Sequence, residues 1–543
     1  MADEALSTGG FQDISRVLPE LTLGLAVVIL TSMSAQSASY RKLVKRAREI
    51  AFLTSSTSAL SWDQETFMPP KALPYRAEQL AWLSGQAHRR FTAGKVGDLI
   101  SECEQAGFAP ESDEAANVRE WRRLYNRATK VPPHLVEKME RTCAHAREAW
   151  REARKQSQFK LFKPHLDKIL SLTRQMADCW GYAQSPYDAL LDGYEPGATA
   201  AALRQTFSEL RNALATILPG AVERSAAVPK DLLKGNYAVA AQQAFNRKIA
   251  EAMGFDFAAG RIDTTTHPFC SRIGADDCRL TTRYDEMDFT YSLYSVMHEA
   301  GHGLYEQGLA TEHYGTPLGT AVSLGIHESQ SRLWENHVGR SEAFWEHWHP
   351  VACEFFPDLK RYSPARITAA INRVAPSFIR TEADQVTYDL HIVLRFEIEL
   401  RLVEGQLGTR DVPACWNELC ESLLGLKVTK DSDGCLQDIH WATGIIGYFP
   451  TYTLGNLNAA QLMHRAAEDN PAIAADLRRG EYQSLRSWLR EKIHRQGSRQ
   501  LPPALMQSAT GELPTSRCQI DYLRTKFASQ PPPPDQKSGS RPS

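Results

Sequence analysis

The sequence predicts an all-α protein built as one large helical domain. Apolar residues return at helical spacing from Tyr40 to about Phe527, no run of alternating strand residues is convincing, and Pro and Gly fall singly, never as a long linker. A length of 543 residues on its own would suggest about three domains, but no internal boundary or fixed repeat divides this pattern.

Taken in order, residues 1–37 read as a poorly ordered N-terminal extension. The apolar run LTLGLAVVIL at 21–30 invites comparison with a signal peptide or membrane span. Three features argue against both: the preceding segment is acidic, the run is about ten residues against the roughly 20 a bilayer needs, and polar TSMSAQSAS follows. Translation from Met33 is an alternative start that would lead straight into a first helix. Residues 38–527 form the folded domain, with YRKLVKRAREIAFLTSSTSALSW, HLVEKMERTCAHAREAWREARK, AALRQTFSELRNALATIL and LRFEIELRLVEG as its clearest amphipathic helices. Residues 528–543, including SQPPPPDQKSGSRPS, lack apolar side chains for a core and read as a disordered Pro-rich tail.

Composition excludes several functions. Hydrophobic residues are 43% and charged residues 23%, values of a globular protein with a substantial core. With 62 Lys+Arg against 64 Asp+Glu, no overall field favours nucleic acid or stable membrane association. The ten cysteines include no CxxC, which argues against a zinc ribbon or redox pair and for reduced thiols in the cytoplasm.

The chemistry is concentrated in YSLYSVMHEAGHGLYEQG at 291–308. At about 100° per residue with His298 at zero, His302 falls at about 40° and Glu299 at about 100°, whereas Phe289, Leu293, Val296, Met297, Ala300 and Leu304 fall between about 160° and 260°. Asp288 is the expected N-cap and Gly308 the expected C′ glycine. Gly301 and Gly303 each cost about 1 kcal/mol in mid-helix, so close approach of another backbone is expected there. Histidines at i and i+4 supply two nitrogens to one tetrahedral zinc, and Glu299 is placed to take a proton from a water whose pKa zinc lowers to about 7.

A third protein ligand is needed. The extension HExxHxxGxxH requires glycine at 305 and histidine at 308, where the chain has Tyr305 and Gly308, so that arrangement is excluded. A later helix near SLGIHESQSRLWENHVG offers His327 and Glu328. Neighbouring residues point about 100° apart, so one of the two reaches the metal, and periodicity does not choose between them.

HPF at 267–269, DCRLT at 277–281, HEAGH at 298–302, HESQ at 327–330, IRTEAD at 379–384 and GCLQDIHW at 434–441 together resemble the ordered motifs of the carboxypeptidase Taq family of zinc metallocarboxypeptidases. SWDQETFMPP at 61–70 and GYFPTYTLGN at 447–456 are similar to that family too, and the likeness runs from about residue 40 to about 525. It implies a neurolysin-like helical domain with a deep active-site cleft, usually a homodimer, that removes C-terminal residues from peptides with broad specificity. It also selects Glu328 over His327 as third ligand, with Zn2+ as the metal and Co2+ as a possible substitute.

On this reading Arg380 recognises the peptide carboxylate, since a planar guanidinium grips carboxylates bidentately. An internal salt bridge to Glu382 or Asp384 is the alternative for it. Arg279 is second choice, with a loop-fixing role as its alternative, and His267 is a third substrate-binding candidate or a turn residue before proline. His440 and Tyr448 are the candidate oxyanion donors, or else packing residues beside Phe449 and Tyr452. An internally cutting zinc oligopeptidase and a noncatalytic peptide-binding scaffold are the competing functions.

Overall fold

A computed structural model describes residues 20–528, with side chains over 38–527. The expectations for residues 1–19 and for the tail at 529–543 lie outside the described residues. The first helix starts at Glu20, ahead of the expected boundary at Ala38, because the stretch between holds no proline and a single glycine, Gly24.

Helices α1 (Glu20–Thr66), α2 (Leu73–Phe91), α3 (Gly94–Gln105), α4 (Asp113–Lys130) and α5 (Pro133–Gln156) open the domain. They are followed by α6 (Phe159–Trp180), α7 (Pro186–Leu191), α8 (Ala200–Ser225) and α9 (Val239–Met253). A small sheet of β1 (Gly260–Thr264), β2 (Cys270–Gly274) and β3 (Asp277–Thr282) comes next, and the purely helical reading missed it. Its order is β1-β3-β2, with β1 parallel and β2 antiparallel to β3. Beyond it lie α10 (Phe289–Gly308), α11 (Leu324–Arg332), α12 (Glu342–Phe355), α13 (Pro364–Ile371), α14 (Tyr388–Val403) and α15 (Val412–Leu424). The domain closes with α16 (Pro450–Asp469), α17 (Ala472–Arg478), α18 (Gln483–Lys492), α19 (Pro502–Thr510) and α20 (Arg517–Ala528). Among the described residues no helix is long and apolar enough to cross a membrane. All ten cysteines are free; Cys270 and Cys278 bring their Sγ atoms to 3.5 Å.

Two large apolar cores hold these helices. One gathers α5 to α8, α14, α15 and the 435–449 segment around Leu166, Leu210, Phe396 and Leu436. The other gathers α9 to α13 and α17 to α19 around Phe245, Leu293, Trp334, Trp345 and Leu489. Helix α16 serves both, giving Leu454 and Leu457 to the first and Ala459, Leu462 and Ala466 to the second. A fully buried Leu or Phe stabilises by about 1.5–3 kcal/mol, so these cores, rather than surface ion pairs, fix the helices that carry the site.

Local sequence sets the ends and contacts of α10 and α11. Asp288 caps α10 by accepting the Thr290 N–H at 2.9 Å, as expected. Gly308 is not a C′ glycine: it is the last helical residue, Leu309 follows at φ −62°, and a methyl group on it would lie 2.4 Å from His494 Nδ1. Close packing, not a left-handed turn, requires glycine there. The same holds for Gly301, where a methyl would meet the Gln330 carbonyl oxygen of α11 at 2.6 Å, and for Gly303, where it would meet Phe255 at 2.7 Å. Ser323 caps α11 by accepting the Ile326 N–H at 3.1 Å, and buried Glu195 accepts the Gly325 N–H at 2.9 Å. Helix α11 runs on into a π-helical turn, Leu333–Gly339, closed by an Arg340 N–H to Glu335 carbonyl bond of 3.1 Å.

Candidate metal centre and its cleft

Helix α10 presents His298 and His302 one turn apart, and α11, pressed against it at Gly301, brings Glu328 to them. One ligand atom from each of the three lies within 4.8 Å of the others. Glu328 Oε2 stands 3.6 Å from His298 Nε2 and 3.4 Å from His302 Nε2. Donors about 2.0–2.1 Å from a tetrahedral zinc are about 3.3–3.4 Å apart, so the spacing already fits such an ion. Helix α16 closes the back: a methyl on Gly455 would lie 2.4 Å from Glu328 Cγ.

The outward nitrogens of both imidazoles are occupied. His298 Nδ1 is 3.0 Å from Glu335 Oε2, and Glu335 is held in turn by Arg340 at 3.0 Å and Arg332 at 3.4 Å. His302 Nδ1 is 2.6 Å from His327 Nδ1, and His327 Nε2 is 2.8 Å from Glu306 Oε1. Arg332 Nε donates to Glu328 Oε1 at 2.7 Å, leaving Oε2 for the ion. Partners of this kind fix ring orientation and tautomer at metal-ligand histidines.

The electrostatics point the same way. Burial alone would raise the Glu328 carboxyl, but Arg332, His298 and His302 hold it well below the usual range. Burial and the neighbouring His327 push His302 down to about 3, so it is a neutral donor. Burial works against a charge on His298, yet Glu328, Glu335 and Glu299 raise it. A surround that draws a positive charge onto an imidazole is one that a divalent cation satisfies. Glu299 is pushed up to about 7 by burial, with His298 opposing the rise.

His298 and Glu299 line a cleft of about 560 Å3, together with Lys230, Lys234, Pro268, Tyr291, Arg340 and Thr381. His267 itself is exposed. Arg279 is held on Asp277 by two bonds of 2.9 and 2.8 Å and lies 4.4 Å over the Trp62 ring. Arg380 does not pair with Glu382 or Asp384. Its backbone N–H bonds Gln437, its side chain meets Asp438 Oδ1 at 3.1 and 2.8 Å, and its Nη1 donates to Tyr388 OH at 3.1 Å. Asp384 instead accepts the N–H groups of Ala375, Val386 and Thr387. Asp438 also binds Arg395 at 2.6 Å, so one carboxylate serves two arginines. His440 and Tyr448 come together, rings 5.6 Å apart, within the aromatic group of Phe449 and Tyr452. Burial pushes His440 down to about 4, and its Nδ1 is buried, unpartnered and 3.9 Å from Asp438 Oδ1.

Sequence reasoning did not single out Glu306, Glu335, Arg332, Arg340, Asp438 or Gly455. Glu306 was findable, since it stands four residues after His302 on the same helical face.

The profile of the carboxypeptidase Taq (M32) metallopeptidase family matches residues 42–527. Thermostable carboxypeptidase 1 of Thermus thermophilus is 42% identical over 504 residues, spanning 91% of this chain and 99% of that protein. Carboxypeptidase 1 of Bacillus subtilis is 35% identical over 483 residues, spanning 89% of this chain and 96% of that protein. Among solved structures, the M32 carboxypeptidase from Deinococcus radiodurans R1 superposes with a TM-score of 0.88 at 39% identity, over 90% of this chain and 99% of that one. Trypanosoma cruzi metallocarboxypeptidase 1 gives 0.87 at 34% identity, over 91% of this chain and 100% of that one.

Proposed function

Because this chain belongs to the carboxypeptidase Taq (M32) metallopeptidase family and is a metal-dependent carboxypeptidase, we propose that His298, His302 and Glu328 hold its metal and that Glu299 is its general base. The observation that carries this reading is the convergence of two Nε2 atoms and one carboxylate oxygen, with both Nδ1 atoms already partnered. Two imidazoles and a carboxylate are a donor set suited to Zn2+, with Co2+ as a substitute. When bound, such an ion polarises the scissile carbonyl and makes water nucleophilic at neutral pH.

Glu299 takes the proton from the attacking water and returns it to the departing amine nitrogen. Its carboxyl near pH 7 suits a group that must both accept and give up a proton. His440 and Tyr448 donate to the oxyanion as it develops; a buried imidazole nitrogen without a partner supports this for His440. Arg380 is the proposed receptor for the peptide carboxylate, with Arg395 beside it: two guanidiniums on one Asp438 leave an uncompensated positive charge that favours an anion. Arg279 and His267 would serve at the cleft margin, with Arg279 chiefly bracing the sheet through Asp277.

The substrates we propose are peptides of broad sequence. A homodimer is proposed as well, for which exposed Phe67, Leu73, Tyr75 and Trp82 supply apolar surface to bury, and a cytoplasmic setting, which the free cysteines support. The direct test is metal analysis with peptide product masses. Wild type should bind one zinc and shorten peptides from the C-terminus, and Glu299→Gln should bind zinc without shortening them. Undiminished cleavage by that variant would overturn the assignment.

A further inference from the structure

His327 belongs to the HESQ motif yet is not among the three proposed ligands, and its contacts say what it does. We propose that His327 and Glu306 are positioning residues that hold His302 in the Nδ1–H form, which leaves the Nε2 lone pair facing the metal. This rests on the proposed metal centre.

The chain of contacts permits a single ordering of hydrogens. Glu306 is a carboxylate, anchored by Arg272 at 3.6 Å, whose own Nη1 donates to the Gly319 carbonyl at 2.8 Å. A carboxylate only accepts, so across 2.8 Å His327 Nε2 must donate to it. A neutral imidazole that donates from Nε2 accepts at Nδ1. The partner at 2.6 Å is His302 Nδ1, which therefore donates. What remains on His302 is an Nε2 lone pair, 3.4 Å from Glu328 Oε2. His298 reaches the same state by a shorter route, since Glu335 accepts from its Nδ1 directly. The reversed ordering would put a hydrogen on His302 Nε2 and remove that ligand. Arg272, Glu306 and His327 thus fix one ligand's tautomer from outside, as partners of metal-bound histidines do elsewhere.

The test uses the full-length protein, with zinc ion as probe and its dissociation constant measured by chelator competition. His327→Phe keeps a ring and removes the acceptor. Its zinc affinity should fall about 10–100-fold, whereas His327→Asn, which restores an acceptor, should recover most of the loss. Nitrogen-15 spectra of the zinc-free protein should show His302 protonated at Nδ1 in wild type and mixed in His327→Phe. Zinc-free melting temperatures of the variants, compared with wild type, separate this role from simple packing. Should His327→Phe destabilise the fold, Glu306→Leu reads the same loss from the far end of the chain. An affinity within about twofold of wild type in folded variants, or a wild-type His302 protonated at Nε2, would overturn the proposal. His302→Ala is the separate control: if it binds zinc like wild type, the metal centre itself is misassigned, whereas a weakened His302→Ala beside an unchanged His327→Phe removes only the relay.

Discussion

Around the metal ligands, Glu299, Glu306, Glu328 and Glu335 face Arg272, Arg332 and Arg340 in a setting dominated by carboxylates. Around Asp438 the balance is inverted, with Arg380 and Arg395 sharing one carboxylate and His440 kept neutral beside them. The first cluster draws a cation and the second an anion, the two charges a carboxypeptidase must manage in one cleft. They also differ in construction. The metal cluster is written in helical spacing on α10 and α11, whereas the Asp438 cluster depends on a loop meeting α14 and the segment before it across tens of residues of chain.

Perturbing each cluster separates their roles, and the largest effect belongs to the metal cluster. Removing the metal with a chelator should abolish peptide hydrolysis, with recovery on adding zinc or cobalt. Glu299→Gln should lower kcat about 10²–10⁴-fold while metal content stays at the wild-type level. At the second cluster, Tyr448→Phe should cost about 10²-fold or more in kcat with little change in KM. Arg380→Lys should raise KM about tenfold for peptides with a free carboxylate and leave C-terminally amidated copies, already poor substrates, unaffected. Equal rates for free and amidated peptides in the wild type would remove the anion role from this cluster.

The smallest effect lies between the clusters. Burial pushes Glu195, which supports the start of α11, up to about 7. Below about pH 4.5 both folded and unfolded chains hold that proton, and between about 4.5 and 7 only the folded chain does, so stability falls as pH rises through this window. Glu195→Gln should flatten the fall. Its melting temperature relative to wild type should rise from about pH 5 to about pH 8.

The helical class, the buried back of α10 and the Asp288 cap were legible because a 3.6-residue period and a capping side chain are local signals. The strands were not: each is five or six residues long, and β2 is half-buried along its whole length, without alternation. Gly308 was misread because a packing glycine and a terminating glycine look alike in sequence. His298, His302 and Glu299 follow from spacing, but choosing Glu328 over His327 took the family likeness, since adjacent residues share one periodic signal. Arg380's partner could not be read because Asp438 meets it only after the chain has travelled through α14 and α15. Glu335 stayed hidden for another reason: regular helical counting fails beyond Arg332, where the helix widens.

That widening has an engineering consequence. Between Leu333 and Gly339 the main chain bonds five residues back instead of four. Deleting one residue there would restore the tighter ladder and swing the downstream chain by about 100°. Arg340 would leave both Glu335 and the Tyr294 ring it covers at 4.0 Å. The chain accepts inferior main-chain bonding at this point to aim one guanidinium. A shortened variant selected for heat resistance should therefore emerge tougher but leaky for its ion, and dialysis retention, not melting point, is the property on which to screen it.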